Sequence, residues 1–298
     1  MGLTEHNNIS IAQIVFFIPA LAVSIFLCIR HGFGRNAGWF LLIIFSLARI
    51  VGASLQLATI AQPGNLSLYF GALTLQGVGL SDLIIVLLTL INRAVTSIEK
   101  ARSAVINPRV LRAAQLVVLV ALILGAVGGS NSGTQFAKTG EYVVSPLTQA
   151  GTALTIAGFV LVVLATLIVG KNVSHAEPGE KRVVGAVALS LPFLLVRVIY
   201  SAVGTYQPNS AFNSRTGDVN IFLGTAVVEE IVIVFILEAM GLTLNVLPKS
   251  ETSAPRSSLL GHLANGRDNR RSRRDNRRSR RYDGYEMPSM TSPRDDIR

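Results

Sequence analysis

Val183–Thr205 reads VVGAVALSLPFLLVRVIYSAVGT, an apolar run interrupted by one charge, Arg197. About 20 residues of such composition let a helix cross a hydrocarbon core of roughly 30 Å. The run is neither alternating nor striped at a 3.6-residue period, so it does not read as the face of a soluble domain. Six further runs of this kind lie in the 298-residue chain. The seven predicted helices cover about 10–29, 37–61, 67–91, 110–129, 147–170, 183–205 and 219–243. Half of all residues are hydrophobic and 15% are charged, against roughly 25% charged in an average soluble domain. The expected fold class is all-α, an integral membrane bundle of seven transmembrane helices.

Four of the seven runs carry charge near their centres: Arg49, Asp82, Arg197 and the adjacent Glu229 and Glu230. An ionisable group at the bilayer centre costs about 2.5–3.5 kcal/mol on insertion scales. Counting along each helix at about 1.5 Å per residue puts these five groups at similar depth. They are therefore expected to converge in a buried polar centre, with Arg197 and Glu229 or Glu230 as the closest pair. Neighbouring residues on a helix point about 100° apart, so Glu229 and Glu230 cannot both face one arginine. The bland alternative is an ion-pair network that fixes helix register.

Orientation follows from loop charge. Arg30, Arg35, Arg93, Lys100, Arg102, Arg109, Arg112, Lys171, Lys181 and Arg182 fall on one side, against Lys138 and Arg215 on the other. By the positive-inside rule the N-terminus is outside and the C-terminus cytosolic. Interfacial anchors are expected at Trp39, Phe40, Tyr69, Phe70, Tyr200 and Tyr206. Candidate glycosylation sites on the outer side are Asn8 and Asn65. Cys28, the single cysteine, lies near the cytosolic end of the first run as a candidate palmitoylation site or, more simply, as a small apolar filler. The Gly125–Gly129 spacing and the glycines at 71, 77 and 79 suit close helix packing.

The chain divides into a transmembrane domain, 1–248, and a basic cytosolic tail, 249–298. The tail holds 13 Lys/Arg against 7 Asp/Glu, much of the chain's net charge of +10. Its composition is that of a disordered segment. Asp268–Arg274 repeats unchanged as Asp275–Arg281, without apolar positions for a coiled coil. Arg270, Arg271, Arg273, Arg274, Arg277, Arg278, Arg280 and Arg281 are candidates for contact with anionic inner-leaflet lipid. Nucleic acid is not an expected partner.

All four histidines, His6, His31, His175 and His262, lie in flanks, loops or the tail of the predicted layout, and the seventh run has no lysine. Haem, zinc, a Ser–His nucleophile and a retinal Schiff base are excluded on that ground. No enzyme activity and no cofactor are expected. The third run ends Ile91-Asn92-Arg93-Ala94 and the seventh Leu244-Asn245-Val246-Leu247-Pro248, so likeness to rhodopsin-type receptors stops at span count and orientation.

Several stretches together resemble a known family. They are His31-Gly-Phe-Gly-Arg35, Ala48-Arg49-Ile-Val-Gly52, Leu55-Gln56-Leu57-Ala58, Leu75-Gln-Gly-Val-Gly-Leu-Ser81, Leu191-Pro-Phe-Leu-Leu-Val-Arg197-Val-Ile-Tyr200 and Glu229-Glu230. Over roughly residues 10–245 the chain resembles a fungal seven-transmembrane family with a domain of unknown function. More distantly it is similar to the fungal lipid-translocating-exporter family linked to resistance to aminocholesterol. The resemblance implies an integral membrane protein that handles a lipid or another amphiphilic solute. A seven-span sensor signalling through cytosolic loops and tail, and a membrane scaffold, are the competing expectations.

Overall fold

The computed structural model describes residues 5–31, 37–62, 64–101, 106–139, 143–173, 178–207 and 222–244. The tail and its arginines lie outside the described residues, as do Arg35, Arg102, Arg215, His175 and His262. Residues 1–246 form one compact unit.

That unit is helical, with no strand among the described residues. Its helices are α1 (Glu5–His31), α2 (Ala37–Ala61), α3 (Leu66–Ala101), α4 (Pro108–Thr139), α5 (Pro146–Lys171), α6 (Pro178–Tyr206) and α7 (Val228–Thr243). A π-helical turn, Leu223–Val227, leads directly into α7. The first six are long and apolar enough to cross a membrane.

Local chemistry sets the helix starts. Asn107 accepts the Arg109 amide at 3.0 Å ahead of Pro108, and Ser145 caps α5 ahead of Pro146. A side-chain acceptor followed by proline satisfies an orphan N–H and presets φ for the first turn. Asn65 accepts the Ser67 amide in the same way before α3. α3 and α4 run about ten residues beyond the ends expected from hydropathy. Hydropathy finds the apolar window, whereas a helix continues wherever a partner or solvent satisfies it. At its far end α3 is held by Arg93, whose Nε and Nη2 both donate to Glu180 Oε1 of α6 at 2.9 and 2.8 Å. Hydropathy places Arg93 in a loop, whereas it lies within α3.

Each helix packs on its neighbours in chain order and α7 closes onto α1, while α3 also touches α5 and α6. α3 is the most enclosed of the six long helices. Ser81–Leu88 is buried on every side of its helix, as expected of a central helix. Outward-facing Leu116, Ile123, Leu167, Ile199 and Phe235 leave an apolar exterior, fitting a hydrocarbon solvent.

Small residues permit the close approaches. A Cβ on Gly151 would meet the Ala121 carbonyl and the Gly125 amide at 2.9 Å, so α4 and α5 cross nearly backbone to backbone there. At the other end, the last carbonyls of α7 are taken up by three side chains. Arg30 Nη1 donates to Leu242 O at 3.0 Å and Arg182 Nη1 to Thr243 O at 3.2 Å, while His31 Nε2 lies 3.2 Å from Gly241 O. Basic groups at a helix C-terminus satisfy orphan carbonyls and oppose the negative end of the dipole.

Three expected interfacial anchors are inside the protein. Trp39 is fully buried, stacked against His31, and Phe70 and Tyr200 are buried as well. Phe40 and Tyr206 are exposed. The anchor pattern failed because other elements cover these positions: His31 of α1 and Gly241 of α7 at Trp39, Phe136 of α4 at Phe70, and Phe222 at Tyr200.

Gly241 is expected to tolerate no side chain. An added Cβ would lie 2.6 Å from the Trp39 ring and 2.8 Å from Leu27 Cδ1. Gly241→Val should destabilise by about 1–3 kcal/mol, read as a lower melting temperature of the detergent-solubilised protein.

Candidate functional site

The five charged residues near the centres of the apolar runs sit on α2, α3, α6 and α7, and all are buried. Glu230 is the hub. Its Oε1 accepts from Arg197 Nε at 3.0 Å and, more closely, from Arg49 Nη2. The closest pair is thus Arg49–Glu230 and not a pair with Arg197. Two guanidinium groups share one carboxylate oxygen from a third helix.

The central helix supplies the remaining contacts. Arg49 Nη1 donates to Gln76 O at 3.0 Å and to Leu75 O at 3.4 Å, and Arg197 Nη2 donates to the same Gln76 O at 3.3 Å. The Gln76 backbone carbonyl is thereby a second acceptor common to both arginines. Gly79 makes this possible: a Cβ there would lie 2.1 Å from Arg49 Nη2. Each guanidinium also lies over an aromatic ring, Arg49 at 5.1 Å from the Phe45 centroid and Arg197 at 5.7 Å from that of Tyr200. Such cation–π contacts offset part of the cost of desolvating the charge.

Asp82 and Glu229 stand apart from this arrangement. Asp82 makes no ion pair or hydrogen bond among the described residues, and Glu229 Oε2 is buried without a partner. The roughly 100° between adjacent helical positions explains the division: Glu230 points to the arginines and Glu229 does not. Glu238 is buried too and accepts a 2.9 Å hydrogen bond from Ser24 of α1. Cys28 is fully buried, its thiol enclosed by the core. Asn8 and Asn65 are exposed, Asn65 donating to Gln62 Oε1 at 3.0 Å.

Arg197 also lines a cleft of about 160 Å³ between α3, α4, α5 and α6. The cleft runs from Phe70, Val144 and Thr205, at the end of the bundle where α3 starts and α6 finishes, inward to Ser81, Thr155 and Arg197. Hydroxyls cover much of its wall. Ser81 and Thr155 lie 3.0 Å apart, Thr152 and Thr205 3.2 Å. Gly77 and Gly125 face it with open space where a side chain would be. Hydropathy hides this wall because threonine and serine in a helix can satisfy themselves. Thr152, Thr155 and Thr205 each donate to the carbonyl four residues back, a pattern common to helical Ser and Thr. The legible trace is their three- and four-residue spacing at 148, 152 and 155 and at 201 and 205.

A buried cation, a shared carboxylate and a hydroxyl-lined cleft leading to them make up the candidate site. A family profile described as Domain of unknown function (DUF7702) matches residues 3–247. The chain belongs to the DUF7702 family. No curated protein and no solved structure matches it. The DUF7702 match spans the whole helical unit, so cleft and polar centre both lie within the family's domain.

Two substitutions separate the roles of the adjacent glutamates. Glu230→Gln leaves two buried guanidinium groups without a counter-charge, a loss of about 3–5 kcal/mol. Glu229→Gln removes no ion pair and should change the melting temperature far less. Comparable losses for the two variants would contradict the geometry.

Proposed function

We propose that this DUF7702 protein is a seven-span membrane protein, N-terminus outside and C-terminus cytosolic, that binds an amphiphilic or lipid-like solute and moves it in the manner of a transporter or translocase. The observation that carries the reading is Arg197 at the inner end of the hydroxyl-lined cleft, bound to a carboxylate that a second arginine also holds. A solute competing for Arg197 leaves Glu230 still paired with Arg49, so occupancy can reset the contacts among α2, α6 and α7 without stranding a carboxylate. The π-helical turn just before Glu229 supports movement there, since such turns recur at functional sites.

The seventh span rests on the length of helix available. Phe222 through Thr243 is helical without a break, 22 residues and about 33 Å at the α-helical rise. A reporter glycosylation site fused after Arg298 should remain unmodified; modification in the lumen would reverse the orientation. The loop-charge asymmetry supports it, as the distribution of histidine and lysine supports a protein without enzymatic chemistry. The motif likeness to a fungal lipid-exporting family supports a lipid-like solute, and the basic tail suits anionic inner-leaflet lipid.

One observation favours a sensor instead. Inward of the polar centre, Leu83, Leu87, Leu90 and Ile91 of α3 are buried in close apolar packing, so the cleft has one open end. Leaflet exchange of a fluorescent phospholipid in proteoliposomes decides between the two. Transport predicts exchange faster than in protein-free vesicles and slowed at least ~10-fold in Arg197→Gln. Exchange no faster than in empty vesicles favours the sensor.

A further inference from the structure

We infer that the cleft is a recognition site for an anionic headgroup, a carboxylate or a phosphate, with Arg197 as the residue that binds it. The inference rests on the proposed amphiphile-binding role and names the charge that the amphiphile carries. Among the described residues Arg197 is the one charged residue lining the cleft, and no aspartate or glutamate lines it. The side chain is more than nine-tenths buried. Its Nε is engaged by Glu230 and its Nη2 by Gln76 O, while Nη1 donates to no protein group among the described residues. A guanidinium nitrogen with unused hydrogens, on a buried side chain at the wall of a cleft, is a vacant anion donor. Arginine's planar fork suits a carboxylate or phosphate.

The hydrogen-bonded trio points the same way. Arg49 and Arg197 share the one carboxylate of Glu230, and Arg197 is the member of that trio at the cleft. Asp82 and Glu229 act on Arg49 and Arg197 through longer-range charge, but form no ion pair with either and lie outside the cleft lining. An anion at Nη1 makes the charge-assisted hydrogen bond that those carboxyls leave unmade. The hydroxyl wall complements this role. Thr152, Thr155 and Thr205 spend their hydrogens on helix carbonyls and offer lone pairs, whereas the Ser201 and Thr74 hydroxyls have no such partner among the described residues and remain donors. A headgroup with an acidic group at its tip and a hydroxyl or amide beside it fits this order.

Binding, not transport, tests the assignment. The probes are dodecanoate, dodecyl phosphate, dodecanol and dodecyltrimethylammonium, titrated into the full-length protein in phosphatidylcholine nanodiscs. The anions should bind at least ~10-fold more tightly than the alcohol, in line with a charge-assisted hydrogen bond, and the ammonium weakest. Preference for dodecanoate over dodecyl phosphate, or the reverse, identifies the acid within the class. Arg197→Gln should remove the preference for anions. Gly77→Leu provides a variant outside the charge network, because an added Cβ at 77 meets nothing within 4 Å and the larger side chain fills the cleft. It should keep the wild-type melting temperature and lose anion affinity at least ~10-fold. Equal binding of anion and alcohol, or unchanged anion affinity in a folded Gly77→Leu protein, overturns the inference. Anion binding without phospholipid exchange leaves it standing and removes only the transport reading. Exchange without anion preference does the opposite.

Discussion

Glu230 holds two guanidinium groups inside an apolar bundle, and much of the arrangement follows from that one carboxylate. An arginine from α2 and another from α6 can be buried together because a carboxylate from α7 and a carbonyl from α3 are there to receive both. Neither arginine alone nor Glu230 alone would be tolerated at that depth. The interaction therefore joins four helices in one register, a demand that apolar side chains, being interchangeable in shape, do not make. Gly79 is the steric condition for it, because any Cβ at that position would occupy the space of Arg49.

Within the hydrogen-bonded trio two cations share one anion, and one of the two, Arg197, reaches the cleft. This distinguishes it from a purely structural staple such as Arg93–Glu180, where one cation meets one carboxylate through two nitrogens at the other end of α3 and α6. The capping of α7 by Arg30, His31 and Arg182 is likewise structural: each group answers a carbonyl that the helix end leaves open. α7 is thus pinned at its C-terminal end and follows a π-helical turn at its start, with Glu230 between the two.

How much of this could be read from the residues depends on the kind of signal. Charges inside long apolar runs stand out because they are expensive, so the five buried ionisable residues were legible, as were the six long apolar helices. Partner choice was not. Hydropathy carries no rotational phase fine enough to separate Glu230 from Glu229, and a backbone carbonyl such as Gln76 O leaves no mark in a sequence. Trp39 was misread because an aromatic near a helix end looks the same whether lipid or His31 faces it. The far halves of α3 and α4 were missed because amphipathic helix falls below a hydropathy threshold. The cleft was hidden by hydroxyls that satisfy their own helix.

A density map of the full-length protein in lipid nanodiscs, resolving the side chains at 49, 197 and 230, tests the central claim most directly. The account predicts the Glu230 carboxylate within hydrogen-bonding distance of both guanidinium groups, with Gln76 O on their other side. A map in which Glu230 faces the acyl chains, or pairs with neither arginine while Glu229 takes its place, would contradict it.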